Sequence, residues 1–110
     1  MSGKRAIFIT GAAAGIGRAT ARHFIRRDWF VGLYDVDTVG LAQLAEELTT
    51  VHGGDAVTTG ALDVTDPANY REAVASCLAA SGGRLDMLFN FAGLLKMRQF
   101  DEIDVSLHDY

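Results

Sequence analysis

The chain has 110 residues, 49% of them hydrophobic, with a formal net charge of −4 and one cysteine. That length suits a single domain of modest size with an affordable core, so a disordered chain is not expected. The acidic balance disfavours a nucleic-acid partner, and the lone Cys77 excludes an internal disulfide framework and fits a reducing cytoplasm.

No apolar run approaches membrane length and the N-terminus lacks the apolar core of a signal peptide, so a soluble, cytoplasmic protein without a membrane partner is the expectation. No His/Cys/carboxylate group has metal-ligand spacing, and no metal is expected.

Arg5–Thr10 is short, apolar and rich in β-branched and aromatic residues, which predicts a buried strand. Next comes Thr10-Gly11-Ala12-Ala13-Ala14-Gly15-Ile16-Gly17, then a stretch of helical periodicity from Ile16 to Arg27. A strand, a glycine-rich turn and a helix in that order form a socket for a pyrophosphate. The helix start offers unpaired N–H groups and the positive end of the macrodipole, and glycine lets the backbone come close. The spacing is G-x-x-x-G-x-G rather than G-x-G-x-x-G, and a plain connecting turn is the alternative. The helix places Ile16, Ala19, Thr20, His23 and Phe24 on one face, with His23 expected as a hydrogen-bonded residue at the core edge. Arg18, Arg22, Arg26 and Arg27 fall on another face and read as solvated.

Phe30–Asp35 predicts a second strand, and a second helix begins near Thr38, whose hydroxyl is the expected cap. Its inner face is Leu41, Leu44, Ala45 and Leu48. His52-Gly53-Gly54 stops it, and Ala56–Asp63 supplies a third strand. Asp66-Pro67 then reads as an N-cap with proline in the first turn. The third helix runs to about Ser81, where Gly82-Gly83 ends it, with Cys77 in the apolar set of Tyr70, Val74 and Leu78. Leu85–Phe91 is the fourth strand. From Leu94 a loop continues, with the first turn of another helix after Ser106. Strands and helices alternating at this spacing predict a parallel sheet covered on both faces.

Asp35 ends the second strand, 18 residues after Gly17, close to the interval of roughly 20 expected for the acid that binds the adenosine ribose. A carboxylate there accepts from the ribose hydroxyls and repels a 2′-phosphate. No Arg or Lys occupies positions 12–16 or 36–38, so NAD is favoured over NADP. The alternative is that Asp35 and Asp37 only cap the next helix.

These residues closely resemble the short-chain dehydrogenases/reductases. The family's cofactor turn T-G-x-x-x-G-I-G is matched by Thr10–Gly17, its acid after the second strand by Asp35, and its adenine-contacting Asp-Val pair by Asp63-Val64. Its approach to the fourth strand is matched by Gly82–Asn90, and its N-N-A-G motif by Asn90-Phe91-Ala92-Gly93. The resemblance implies an α/β Rossmann-type doubly wound sheet, here the N-terminal half with strand order 3-2-1-4, and the cofactor at the switch between strands 1 and 4. It implies cofactor contacts from Gly11, Ala14, Gly15, Ile16, Gly17, Asp35, Val36, Asp63, Val64, Asn90, Ala92 and Gly93. It also implies hydride transfer between nicotinamide and a carbonyl or secondary alcohol of a small molecule, and a homo-oligomer, dimer or tetramer, built in part by the helix after Ser106.

The chain departs from the family in two places. Phe91 replaces the second asparagine of N-N-A-G, which in the family helps tie the sheet together. The family's catalytic asparagine, serine and Tyr-x-x-x-Lys lie downstream in longer chains, and Tyr34, Tyr70 and Tyr110 match none of them. Residues 1–110 therefore read as an NAD(P)-binding domain incomplete at its C-terminus, inactive by itself, with the fourth strand left as an open apolar edge. A non-catalytic dinucleotide-binding or subunit-interaction module is the alternative. A methyltransferase on a similar sheet is disfavoured by the full turn together with Asn90-x-Ala92-Gly93.

Overall fold

A computed structural model describes residues 4–91. Strand β1 (Ala6–Thr10) leads through the glycine-rich turn into helix α1 (Gly15–Ile25), then into β2 (Phe30–Asp35) and α2 (Thr38–His52). A 3₁₀ turn at Gly54–Ala56 precedes β3 (Val57–Ala61), and α3 (Pro67–Ala80) and β4 (Met87–Asn90) complete the set. The strands form one parallel sheet in the order β3-β2-β1-β4. The expected Rossmann-type half sheet is thus the observed fold.

The period of two along each strand sorts the core into two layers. Ile7 and Ile9 of β1 and Val31 and Leu33 of β2 pack with Ala21 and Ile25 of α1 and with Leu41, Leu44 and Leu48 of α2. Ala6, Phe8, Phe30 and Tyr34 point the other way, onto Tyr70, Ala73, Val74 and Cys77 of α3. Helices therefore cover both faces, and every residue of β1 has 0% exposure. Phe8 stacks on Tyr34 with centroids 4.7 Å apart and meets Tyr70 edge-on at 5.8 Å. At the entry to β4, an Asp86 Oδ2 accepts from the Ala6 N–H at 2.8 Å and the Asp86 N–H donates to the Ala6 carbonyl at 2.9 Å. This double link sets the β1–β4 register before the ladder begins.

Several expectations are corrected. The buried face of α1 is Gly17, Ala21 and Ile25 with Phe24 half-buried, while Ile16 is 55% exposed and Ala19 and His23 are exposed. Apolar periodicity tracks the bulky Ile16, but α1 seats against the turn through a residue with no side chain. His23 lies beside Arg27, with Nδ1 3.2 Å from the guanidinium, and its ring meets Phe24 edge-on. Helix α2 is capped by Asp37, whose Oδ1 accepts from the Gly40 N–H at 2.9 Å, and not by Thr38. Strand β3 is shorter than Ala56–Asp63 because residues 54–56 form the 3₁₀ turn and residues 63–66 turn toward α3. Ala92, Gly93, the loop from Leu94 and the helix after Ser106 lie outside the described residues, whereas β4 is described and, among the described residues, is an edge strand that pairs with β1 alone.

Among the described residues no helix is long and apolar enough to cross a membrane. Cys77 is fully buried beneath the sheet, and burial pushes its thiol up to about 12. We expect no reaction with a disulfide reagent at pH 8 until denaturant opens the core. Stoichiometric labelling of the native protein would contradict this packing.

Candidate functional site

The carboxyl ends of β1, β2 and β4 converge on the turn from Gly11 to Ala14. Gly11 has φ 68°, a left-handed conformation that L side chains resist. The turn is held to the sheet by the Ala12 N–H on the Tyr34 carbonyl at 3.2 Å, and it closes through the Ala14 N–H on the Gly11 carbonyl at 3.3 Å.

Helix α1 begins unlike the other two. Its N-cap Ala14 is extended and offers no side-chain acceptor, and no acid occupies the first turn. By contrast α2 and α3 are capped by Asp37 and Asp66. The N–H groups of Gly15, Ile16 and Gly17 precede the first i−4 carbonyl, so the positive end of this helix presents donors without a cap. Gly15 is exposed, and a Cβ built there meets nothing within 4 Å. A Cβ at Gly17 would lie 2.1 Å from the Gly11 carbonyl oxygen, so the helix rests directly on the turn's backbone. An anion of pyrophosphate shape fits such a cradle.

Asp35 is half-buried at the end of β2. Its Oδ2 accepts from the Ala13 N–H and its Oδ1 from the Asp37 N–H, both at 3.0 Å. Of the two acids considered as caps, Asp37 caps α2 and Asp35 is bonded to the glycine-rich turn. Each Asp35 oxygen keeps accepting capacity for a further donor. Val36 beside it is 69% exposed.

On the neighbouring strand Ala61 pairs with Asp35, and after the buried Leu62 come Asp63 and Val64 in the β3–α3 loop. Asp63 turns inward on its own loop: its Oδ1 accepts from the Thr65 N–H at 2.9 Å and from the Thr65 hydroxyl at 2.6 Å. Its own N–H donates to Asn69 Oδ1 at 2.8 Å. Val64 packs at the margin of the α3 layer.

At the end of β4, Asn90 Oδ1 accepts from the Thr10 hydroxyl at 3.2 Å, and its amide nitrogen donates to the Tyr70 hydroxyl at 3.3 Å. Phe91 stacks parallel to Phe89 with centroids 6.2 Å apart. The Thr10–Asn90–Tyr70 set joins β1, β4 and α3. Sequence reasoning places Tyr70 in an apolar face and misses this role. The signal is available, because a buried phenol hydroxyl requires a partner. Tyr70→Phe keeps the ring and deletes the hydroxyl. We expect it to lower stability by about 1 kcal/mol in urea denaturation, and an unchanged midpoint would show that the Asn90 contact contributes nothing.

Arg18 is also missed by sequence reasoning, which counts it in a solvated face. Its Nε donates to the Ala13 carbonyl at 2.8 Å and its Nη2 to the Gly40 carbonyl at 3.2 Å. The solvated reading suits the exposed Arg26 and Arg27, while Arg22 forms a two-pronged pair with Glu47 at 2.7 and 2.8 Å.

Tyr34 is 1% exposed, and burial pushes its phenol above the ordinary value, the wrong direction for an acid–base group. Among the described residues no group of three His, Cys, Asp or Glu side chains is placed to hold a metal. A cavity of about 850 Å³, lined in part by Lys4, Phe30, Asp55, Thr58 and Ser81, lies at the opposite, amino ends of the strands and holds none of the expected site residues.

The short chain dehydrogenase family model matches residues 5–109. D-Threitol dehydrogenase of Mycolicibacterium smegmatis is 37% identical over 112 residues, covering all of this chain and 40% of that protein. 2-Keto-3-deoxy-L-fuconate dehydrogenase of Xanthomonas campestris pv. campestris is 42% identical over 93 residues, 84% of this chain and 27% of that protein. Among solved structures, a short chain dehydrogenase/reductase of Burkholderia phymatum in complex with NAD superposes with a TM-score of 0.72 at 28% identity, covering 77% of this chain and 29% of that one. A 3-ketoacyl-(acyl-carrier-protein) reductase of Brucella melitensis complexed with NADH gives 0.68 at 32% identity, covering 79% and 33%. The chain thus spans 40% or less of the length of each. With its strand order, its turn and the match over 105 of its 110 positions (5 through 109), the chain belongs to the short-chain dehydrogenase family of oxidoreductases.

Proposed function

We propose that this chain carries the dinucleotide site of an NAD-dependent oxidoreductase acting on a small alcohol or carbonyl compound. The observation that carries the proposal is the uncapped start of α1 seated on the bare turn, with Asp35 bonded to that turn. The N–H groups of Gly15, Ile16 and Gly17 hold the pyrophosphate, with Gly11 and Ala14 shaping the approach. Asp35 accepts from the adenosine ribose. Val36, Asp63 and Val64 line the adenine side, and Asn90, with Ala92 and Gly93, lines the nicotinamide side. The bound dinucleotide supplies hydride transfer at nicotinamide C4, and these residues bind and orient it.

NAD is preferred to NADP because a 2′-phosphate would meet the Asp35 carboxylate. The NAD and NADH in the two solved neighbours support a nicotinamide dinucleotide, and the polyol dehydrogenases among the relatives support the substrate class. A cytoplasmic setting and self-association through the segment after Ser106 belong to the same proposal.

Calorimetric titration with NAD and with NADP tests it. Saturable binding with NAD the tighter is expected, and the absence of binding to either refutes it. A second reading, dinucleotide binding without turnover, draws support from the two described tyrosines, Tyr34 and Tyr70, both buried in the core. Turnover of NAD with a panel of alcohols by the 110-residue chain would exclude that reading.

A further inference from the structure

Arg18 sits in the first turn of α1, where the macrodipole disfavours a cation. A positive side chain retained there needs compensation from elsewhere, and the structure shows the source. The guanidinium spans two backbone carbonyls on different elements: Nε on Ala13 in the turn and Nη2 on Gly40 in α2. The approach is close. A Cβ at Gly40 would lie 2.9 Å from the Ala13 Cβ and 2.6 Å from Asp37 Oδ2, so only glycine lets the turn rest against α2.

The Ala13 residue is therefore gripped from both sides, its N–H by the Asp35 carboxylate at 3.0 Å and its carbonyl by Arg18 at 2.8 Å. The Arg18 guanidinium donates to these two carbonyls and not to the Asp35 carboxyl. It acts through the Ala13 backbone. Its charge is thus held as a strut rather than offered to a 2′-phosphate.

We infer that Arg18 is a positioning residue for cofactor choice: by fixing the Ala13 backbone against α2, it holds the Asp35 carboxylate where it accepts from the ribose hydroxyls and opposes a 2′-phosphate. This rests on the dinucleotide reading above. Without the strut, the turn between Gly11 and Ala14 gains freedom, Asp35 loses its fixed partner, and both the attraction to NAD and the exclusion of NADP weaken. Lysine, a single ammonium point on a flexible stem, cannot reproduce the two-carbonyl span of the planar fork.

The test titrates NAD and NADP onto the native protein, Arg18→Ala and Arg18→Lys by calorimetry, with amide hydrogen exchange at Ala13 monitored by NMR. Arg18→Ala is expected to weaken NAD about tenfold and NADP distinctly less, so the preference narrows. Ala13 should exchange faster in Arg18→Ala, with Arg18→Lys falling between it and the native protein. Equal losses for both dinucleotides, or unchanged affinities with Ala13 still protected, would overturn the inference and leave the dinucleotide reading standing. If circular dichroism shows Arg18→Ala unfolded, the native/Arg18→Lys pair decides by the same two readouts. Failure of the native protein to bind either dinucleotide overturns the dinucleotide reading, and this inference with it.

Discussion

Replacing Gly17 with alanine should abolish measurable NAD binding and destabilise the fold by about 1–3 kcal/mol. The added Cβ would stand 2.1 Å from the Gly11 carbonyl oxygen, 2.7 Å from its carbon and 2.8 Å from the Ala12 Cα. All three are backbone atoms, so no rotamer change relieves the clash. Either α1 withdraws from the turn or the turn unwinds, and unwinding gives up the left-handed Gly11 at φ 68° that shapes it. Withdrawal moves the helix's first N–H groups away from the position the turn defines for an anion. Gly15→Ala is the internal control, since its Cβ meets nothing within 4 Å. Its stability should stay within about 0.5 kcal/mol of the native value. Thermal melts and calorimetry on both variants check this. A Gly17→Ala protein with native stability and native affinity would mean that the turn and helix are not in the contact described.

The layout of the sheet is legible in the sequence because short apolar runs alternate with helical stretches and turn signals fall between them. Phe30–Asp35 and the start of α2 at Thr38 match their sequence patterns, and Asp66-Pro67 opens α3 as its capping chemistry requires. Apart from the cap of α2 and the bounds of β3, which are local, the missed roles share a cause: they concern groups whose role depends on what another element brings near. Gly17 and Ala21 form the seat of α1 through closeness rather than hydrophobic bulk, which apolar periodicity does not register. Arg18 resembles its neighbours Arg22 and Arg26 in composition, and only the arrival of Ala13 and Gly40 sets it apart. Tyr70 and Asn90 lie 20 residues apart, and their contact exists because α3 packs across β1 and β4. Phe91 is legible as a substitution in the motif. The Thr10–Asn90–Tyr70 set is not, since it requires three elements to be placed first.

The second large effect concerns Asp35, the carboxylate bonded to the turn. Asp35→Ala should weaken NAD by about tenfold to a hundredfold, the range for losing hydrogen bonds to a charged acceptor. NADP should hold its affinity or gain, because the repulsion of a 2′-phosphate is removed along with the acceptor. The same change frees the N–H groups of Ala13 and Asp37, so part of the NAD loss comes from a loosened turn. Asp35→Asn separates these contributions. It keeps one oxygen of the right shape to accept from Ala13 while deleting the charge. If charge governs the choice, Asn and Ala should relax discrimination against NADP to a similar degree, with NAD weakened more by Ala. If the fixed turn governs it, Asn should retain most of the native preference. Unchanged discrimination in both variants would remove Asp35 from the recognition of the ribose altogether. The bond between its Oδ2 and Ala13 would then be structural, a brace between the end of β2 and the turn that carries α1.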